Sequence, residues 1–150
     1  MSDRSSGRSL AREFALSVLF ASQFHESGSA DEIYGDLLRT LEPRGPIDEH
    51  AKRLIETVLL EREEIDAAIS PALRGWSIDR LATVDRWVLR IGVCELLFFG
   101  EVPAGVVIDE AVELAKRFGG PRSGTFVNGV LDGVRRGKSS SALNDQSETA

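Results

Sequence analysis

The chain has 150 residues, with 18 Lys+Arg against 24 Asp+Glu, 42% hydrophobic residues, one Cys, two His and a formal net charge of -6. A domain of this length can bury roughly 70% of the surface its unfolded chain exposes, so a single-domain core needs no disulfide or metal staples. Cys94 has no second cysteine to pair with, His25 and His50 supply no metal-ligand spacing, and no window reaches the ~20 apolar residues that span a bilayer.

The elements read as helices in chain order. Residues 1–8 form a basic amino-terminal arm with no apolar run of the kind a signal peptide carries, so a soluble, cytoplasmic protein is expected. Residues 9–25 place Leu10, Phe14, Val18 and Ala21 at helical spacing, with Ala11 and Ala15 beside them, and Gly28 with its neighbouring serines ends that helix. A short helix follows over 31–41, and Pro43-Arg44-Gly45-Pro46 breaks the chain. A long third helix is predicted next. Asp48 and Glu49 suit its positive end, Leu54, Val58, Ile65 and Ile69 hold one face, and Pro71 closes it. After Gly75-Trp76, Ser77 can cap a short turn, and the apolar stretch from Val84 to Phe99 reads as the central core helix. Pro103 starts a helix to Phe118 with Val107, Ala111, Leu114 and Phe118 inward and Glu113 and Arg117 as an i, i+4 pair. Gly119-Gly120-Pro121 stops it. Ser123 can then cap a last helix with Phe126, Val127, Val130, Leu131 and Val134 on its apolar face, ending at Gly137, and residues 138–150 read as a disordered tail. The fold class is therefore all-α, a bundle of six or seven helices in two subdomains that meet near Pro71 to Trp76.

Enzyme signatures do not survive testing. The stretch Gly119 to Thr125 superficially looks like a phosphate loop, but it lacks the lysine and follows a helix rather than a strand. Glu110 and Glu113 stand three apart without any Glu-x-x-His pair, so a solvated helix face is the better reading than a carboxylate metal centre. No Ser, Cys or Asp arrangement accompanies either His as a nucleophile and base. Binding without an enzyme activity, metal or cofactor is the expectation.

Charge is unevenly spread: residues 1–25 hold three Arg and two acids, residues 26–66 hold five basic and twelve acidic residues, and fifteen of the 18 basic residues are Arg. Any contact with nucleic acid must then be local. Arg4, Arg8 and Arg12 recur every four residues, about 6 Å apart along a helix, which suits phosphate tracking. Leu16, Leu19 and Phe20 lie beside this ridge, outside the predicted core stripe, and offer stacking surface for single-stranded RNA. A solvated arm with Phe20 packed on another helix remains the alternative there. At the other end, a helix N-terminus after a Gly-rich loop with Arg122 favours an anion. Gly129 and Gly133 inside that last helix imply close approach by another backbone or, with Asn128 and Asp132, a recognition edge.

Four ordered motifs carry a family resemblance. They are Arg8-Ser9-Leu10-Ala11-Arg12-Glu13, Asp85-Arg86-Trp87-Val88-Leu89-Arg90-Ile91 with Glu95-Leu96, the run from Val107 to Gly119 around Glu110 and Glu113, and Phe126-Val127-Asn128-Gly129-Val130-Leu131-Asp132. Together they cover roughly Arg8 to Arg136, and the chain resembles the NusB family of transcription antitermination proteins. The resemblance implies an all-helical RNA-binding protein that pairs with the ribosomal protein NusE, recognises single-stranded boxA RNA in ribosomal RNA leader transcripts and acts in the elongation complex with RNA polymerase. Its implied RNA-binding positions are Arg8, Arg12 and Phe20, with Arg122, Ser123 and Phe126 at the last loop and helix start, and Arg4 extends the ridge. Asp85 and Arg86 match positions of the NusE interface. Relatives commonly carry further basic residues where Ser9 and Leu10 stand, which predicts weaker RNA affinity and a shallower salt dependence, offset by Arg122. The alternatives are a freestanding relative of the RNA-binding domain of ribosomal RNA cytosine methyltransferases, and a helical protein-interaction module or homodimer with no RNA role.

Overall fold

The computed structural model of the chain describes residues 3–23 and 46–148, with side-chain environments for residues 7–23 and 49–137. The helix expected over 31–41 lies outside the described residues. Among those described there are six α-helices, two short 3-10 turns and no strand. They fall into two compact units, Met1–Arg62 and Glu63–Ala150, so the division comes earlier than the expected Pro71 to Trp76.

In the first unit, α1 (Asp3–Ser22) packs on α2 (Pro46–Leu60). Helix begins at Asp3, so most of the expected arm is helical and Arg4, Arg8 and Arg12 stand on one helix. The buried side chains are Ala11, Ala15, Leu16, Val18 and Leu19 from α1 and Ala51, Leu54, Ile55 and Val58 from α2. This stripe is rotated from the predicted one: Leu10, expected inward, is 52% exposed, and Leu16 and Leu19, expected outward, are buried. Ala11 and Ala15 explain the rotation, because a helix packs closest along its smallest side chains and then encloses whatever flanks them. Pro46 opens α2, where its fixed φ suits a first turn, rather than only breaking the chain.

The long third helix of the sequence is two helices, α2 and then α3 (Arg62–Ile69), interrupted at Glu61. The apolar residues on either side serve different cores: Leu54 and Val58 belong to the first unit, Ile65 and Ile69 to the second. Periodicity continues across the break and so conceals it.

The second unit is built on α4 (Thr83–Phe98), in which every residue from Trp87 to Leu96 is buried. Against it lie α5 (Ala104–Phe118) and α6 (Ser123–Glu148), which also pack on each other. Gly92 admits this crossing, since a Cβ there would stand 3.0 Å from Leu131 Cδ1 and 3.6 Å from Ala111 Cβ. Fully buried Leu89, Ile91 and Leu131 each add about 1.5–3 kcal/mol of transfer free energy. Charged groups also lie within this core, Arg90 and Glu95, each 1% exposed. Arg90, 2% exposed at its side chain, donates from Nε to Asp66 Oδ1 at 2.8 Å and from Nη2 to Oδ2 at 3.0 Å, and its guanidinium lies 4.6 Å from the Trp87 ring centroid. This fork fixes α3 on α4.

Two details differ from expectation at the ends of these helices. Phe118 is 46% exposed instead of inward, and Glu113 pairs with Lys116 at 3.7 Å. Beyond Gly137, where the sequence predicts a disordered tail, the backbone of α6 stays helical to Glu148; no proline and no glycine stands after Gly137 to stop it.

Candidate nucleic-acid and partner surfaces

The arginine ridge is present as backbone geometry but follows the packed side of α1. Residues four apart drift only about 40° around a helix, so Arg8 and Arg12 share the azimuth of Ala11, Ala15 and Leu19. Arg8 is half-buried; Arg12 is 3% exposed and already engaged within the protein. Arg4 lies on the helix backbone, its side chain outside those described. Phe20, 36% exposed, sits about 80° round the helix from Arg12, on the flank where α1 meets solvent. The structure therefore does not bring Leu16 and Leu19 to the surface as a stacking patch; Phe20 alone of that trio is exposed.

In the second unit the loop between α5 and α6 is closed by hydrogen bonds. Gly119 N–H donates to Ala115 O at 2.8 Å, Gly120 N–H donates to Ser123 Oγ at 2.9 Å, and Ser123 N–H donates back to Gly120 O at 3.1 Å. Ser123 thus reaches back to the loop instead of forward as an N-cap, and at 5% exposure it holds the loop in shape. Gly119 is required by close approach, because a Cβ there would stand 2.5 Å from Ser123 Oγ and 2.7 Å from Ala115 O. With the Gly120 N–H occupied, the loop cannot cradle a phosphate as a P-loop does. It instead displays Arg122, exposed, and Phe126, half-buried one turn into α6.

Residues that the sequence pattern missed enlarge this surface. Lys116 and Arg117 are exposed at the end of α5, and Arg117 stands 5.1 Å from the centroid of the exposed Phe118 ring. A cation over an exposed ring, with Arg122 exposed in the loop that follows, offers a nucleic-acid strand groups for both phosphate and base. The signal for Phe118 was its place next to Gly119, where a helix ends and an apolar periodicity no longer dictates burial.

The glycines of α6 divide. At Gly133 a Cβ would lie 3.1 Å from Ala72 Cβ, so this one serves the packing of α6 on the 3-10 turn Ser70–Leu73; at Gly129 nothing lies within 4 Å. Asp132 pairs with Arg136 at 2.6 Å along the same helix.

Asp85 and Arg86 occupy the first turn of α4 and are half-buried. Arg86 Nη2 donates to Thr83 Oγ1 at 3.4 Å, and Nη1 stands 4.0 Å from Asp79 Oδ1 in the preceding turn Ile78–Arg80. Among the described residues Asp85 Oδ1 and Arg86 Nε are buried with no hydrogen-bond partner. Such groups cost about 1–3 kcal/mol each when left unpaired. Among the described residues no cluster of His, Cys, Asp and Glu could hold a metal ion, and no helix is long and apolar enough to cross a membrane.

The model of the NusB family matches residues 9–136. The chain belongs to the NusB family. A relative named transcription antitermination protein NusB, from Salinibacter ruber, is 41% identical over 135 residues, spanning 86% of this chain and 81% of that one. Among solved structures, NusB of T. maritima superposes with a TM-score of 0.80 at 38% identity, covering 86% of this chain and 90% of that one. A structure of the antitermination factors NusB and NusE in complex with dsRNA matches with a TM-score of 0.79 at 32% identity, covering 91% of this chain and 99% of that one. The family match spans both units, from α1 through the first turns of α6.

Proposed function

We propose that the protein is a transcription antitermination factor, not an enzyme, that pairs with NusE and binds boxA-type single-stranded RNA of ribosomal RNA leader transcripts. The observation that carries this reading is the similarity, over almost the whole of both chains, to a NusB bound to NusE and RNA. On this reading the protein acts in the cytoplasm, within the elongation complex with RNA polymerase.

The RNA contacts are Arg8 and Phe20 in the first unit and Arg122, Phe126 and the Arg117–Phe118 pair in the second. Arg4 extends the first set. Arg12 and Ser123 act by holding α1 and the loop in place, since both side chains are buried and engaged. Asp85 and Arg86 belong to the NusE surface. NusE attached there contributes its own contacts to the same RNA, so affinity rises through shared attachment.

The test is titration of a labelled single-stranded boxA RNA with and without purified NusE, with a duplex of the same sequence as competitor. The expected result is weak binding alone, stronger binding with NusE, and a preference for the single strand that exposes its bases to Phe20 and Phe118. Equal preference for the duplex rejects the stacking contacts, and absence of binding in every arm rejects the function.

A further inference from the structure

Trp76 leaves 65% of its surface to solvent, whereas the second tryptophan, Trp87, is 3% exposed. Its position is imposed by the backbone. Arg74 at φ 51° and Gly75 at φ 93° are two successive left-handed residues, and for a non-glycine residue that conformation is unfavourable. Hydrogen bonds hold both sides: Trp76 N–H donates to Leu73 O at 3.2 Å, and Ser77 Oγ accepts from Asp79 N–H at 3.3 Å to cap the turn Ile78–Arg80. The indole is thus presented from two hydrogen-bonded turns, so little order is lost when it is covered.

The charges around it have both signs. Arg74 and Arg80 are exposed and have no ion-pair partner among the described residues, while Asp79, 84% exposed at its side chain, leads to Arg86 at 4.0 Å and so to Asp85. A polyanion approaching Trp76 would meet the Asp79 carboxylate; a protein surface can answer both signs. Trp and Arg are also the residues enriched among the energetic anchors of protein interfaces.

We propose that Trp76 is the apolar anchor of the NusE-binding surface, which continues from Asp85 and Arg86 through the turn Ile78–Arg80 to Arg74. Its counterpart on NusE is an apolar pocket whose rim carries acidic groups for Arg74 and Arg80 and a donor for Asp79. The inference rests on NusE being the partner.

The experiment uses the full chain and purified NusE. Trp76→Ala is expected to weaken NusE binding by about tenfold or more, with Trp76→Phe retaining most of it. Binding of boxA RNA by the protein alone and the thermal melt stay as in the unsubstituted chain. With 5-fluorotryptophan incorporated, the resonance lost in Trp76→Phe shifts on addition of NusE while that of Trp87 does not. Unchanged NusE affinity in Trp76→Ala overturns the anchor although the partnership stands. Weakened RNA binding with intact NusE binding overturns it in favour of a nucleic-acid contact. Failure of the unsubstituted chain to bind NusE rejects the partnership, and this surface with it.

Discussion

Arg8 and Arg12 are one turn apart on α1 and have the same side chain, yet their substitution should read out in different experiments. Arg12 is 3% exposed and engaged, so Arg12→Ala removes buried stem packing and leaves its partner unsatisfied, for about 1–3 kcal/mol of stability. Arg8 is half-buried at the open end of the helix, so Arg8→Ala should leave the melting temperature nearly unchanged while weakening RNA binding and lowering the salt slope by about 0.7. Thermal melts beside RNA titrations separate the two; equal stability loss in both variants would show that Arg8 is structural as well. A sharper loss belongs to Asp66. Asp66→Ala strands the Arg90 guanidinium in the core, and removing one partner of a buried pair costs about 3–5 kcal/mol. Urea denaturation should show it, and Asp66→Asn, which keeps one acceptor, should lose less.

Glycine substitutions test the helices as elements. Gly119→Ala places a methyl 2.5 Å from Ser123 Oγ and 2.7 Å from a backbone carbonyl at the α5–α6 corner, where only backbone movement can relieve it, for about 1–3 kcal/mol of destabilisation. Gly129→Ala meets nothing within 4 Å in a helix interior and should stabilise by about 0.5–1 kcal/mol. Opposite signs in one denaturation series are the expected result. Both glycines belong to motifs that identify the family, and residue type alone does not tell them apart. The same holds along the chain. The order of helices, the Ser77-capped turn and the buried run of α4 were legible because apolar density and capping residues act locally. The azimuth of α1 was not, because Leu10, Leu16 and Leu19 are equally apolar and only the closeness allowed by Ala11 and Ala15 decides which are enclosed. The break at Glu61 was hidden by continuous periodicity, and the Asp66–Arg90 fork by the distance between its partners in sequence. At the candidate surfaces, Arg122 and Phe126 were readable from the loop and the family pattern, whereas Phe118 and Trp76 were not, since exposure at an element's end is set by tertiary packing.

At the scale of the whole molecule the question is how a chain of net charge -6 would hold the RNA proposed for it. The exposed or half-exposed cations among the described candidates are Arg8 in the first unit and Lys116, Arg117 and Arg122 in the second. With Arg4 of the proposed ridge added to these four, five phosphate contacts bound the salt slope of the protein alone at about -3.5 for single-stranded RNA, at roughly -0.7 per contact. NusE can raise affinity in two ways that this slope separates. If NusE only stabilises the binding-competent form, the binding curve shifts to lower RNA concentration at every salt and the slope is unchanged. If NusE holds the same RNA strand through its own cations, each added contact releases another counterion and the slope steepens as affinity rises. Shared attachment predicts the second outcome, with the effect of NusE largest at low salt and diminishing as salt is added. A parallel shift of the two salt plots would assign NusE the conformational role instead, with Arg8 and Arg122 contributing the same decrement in both.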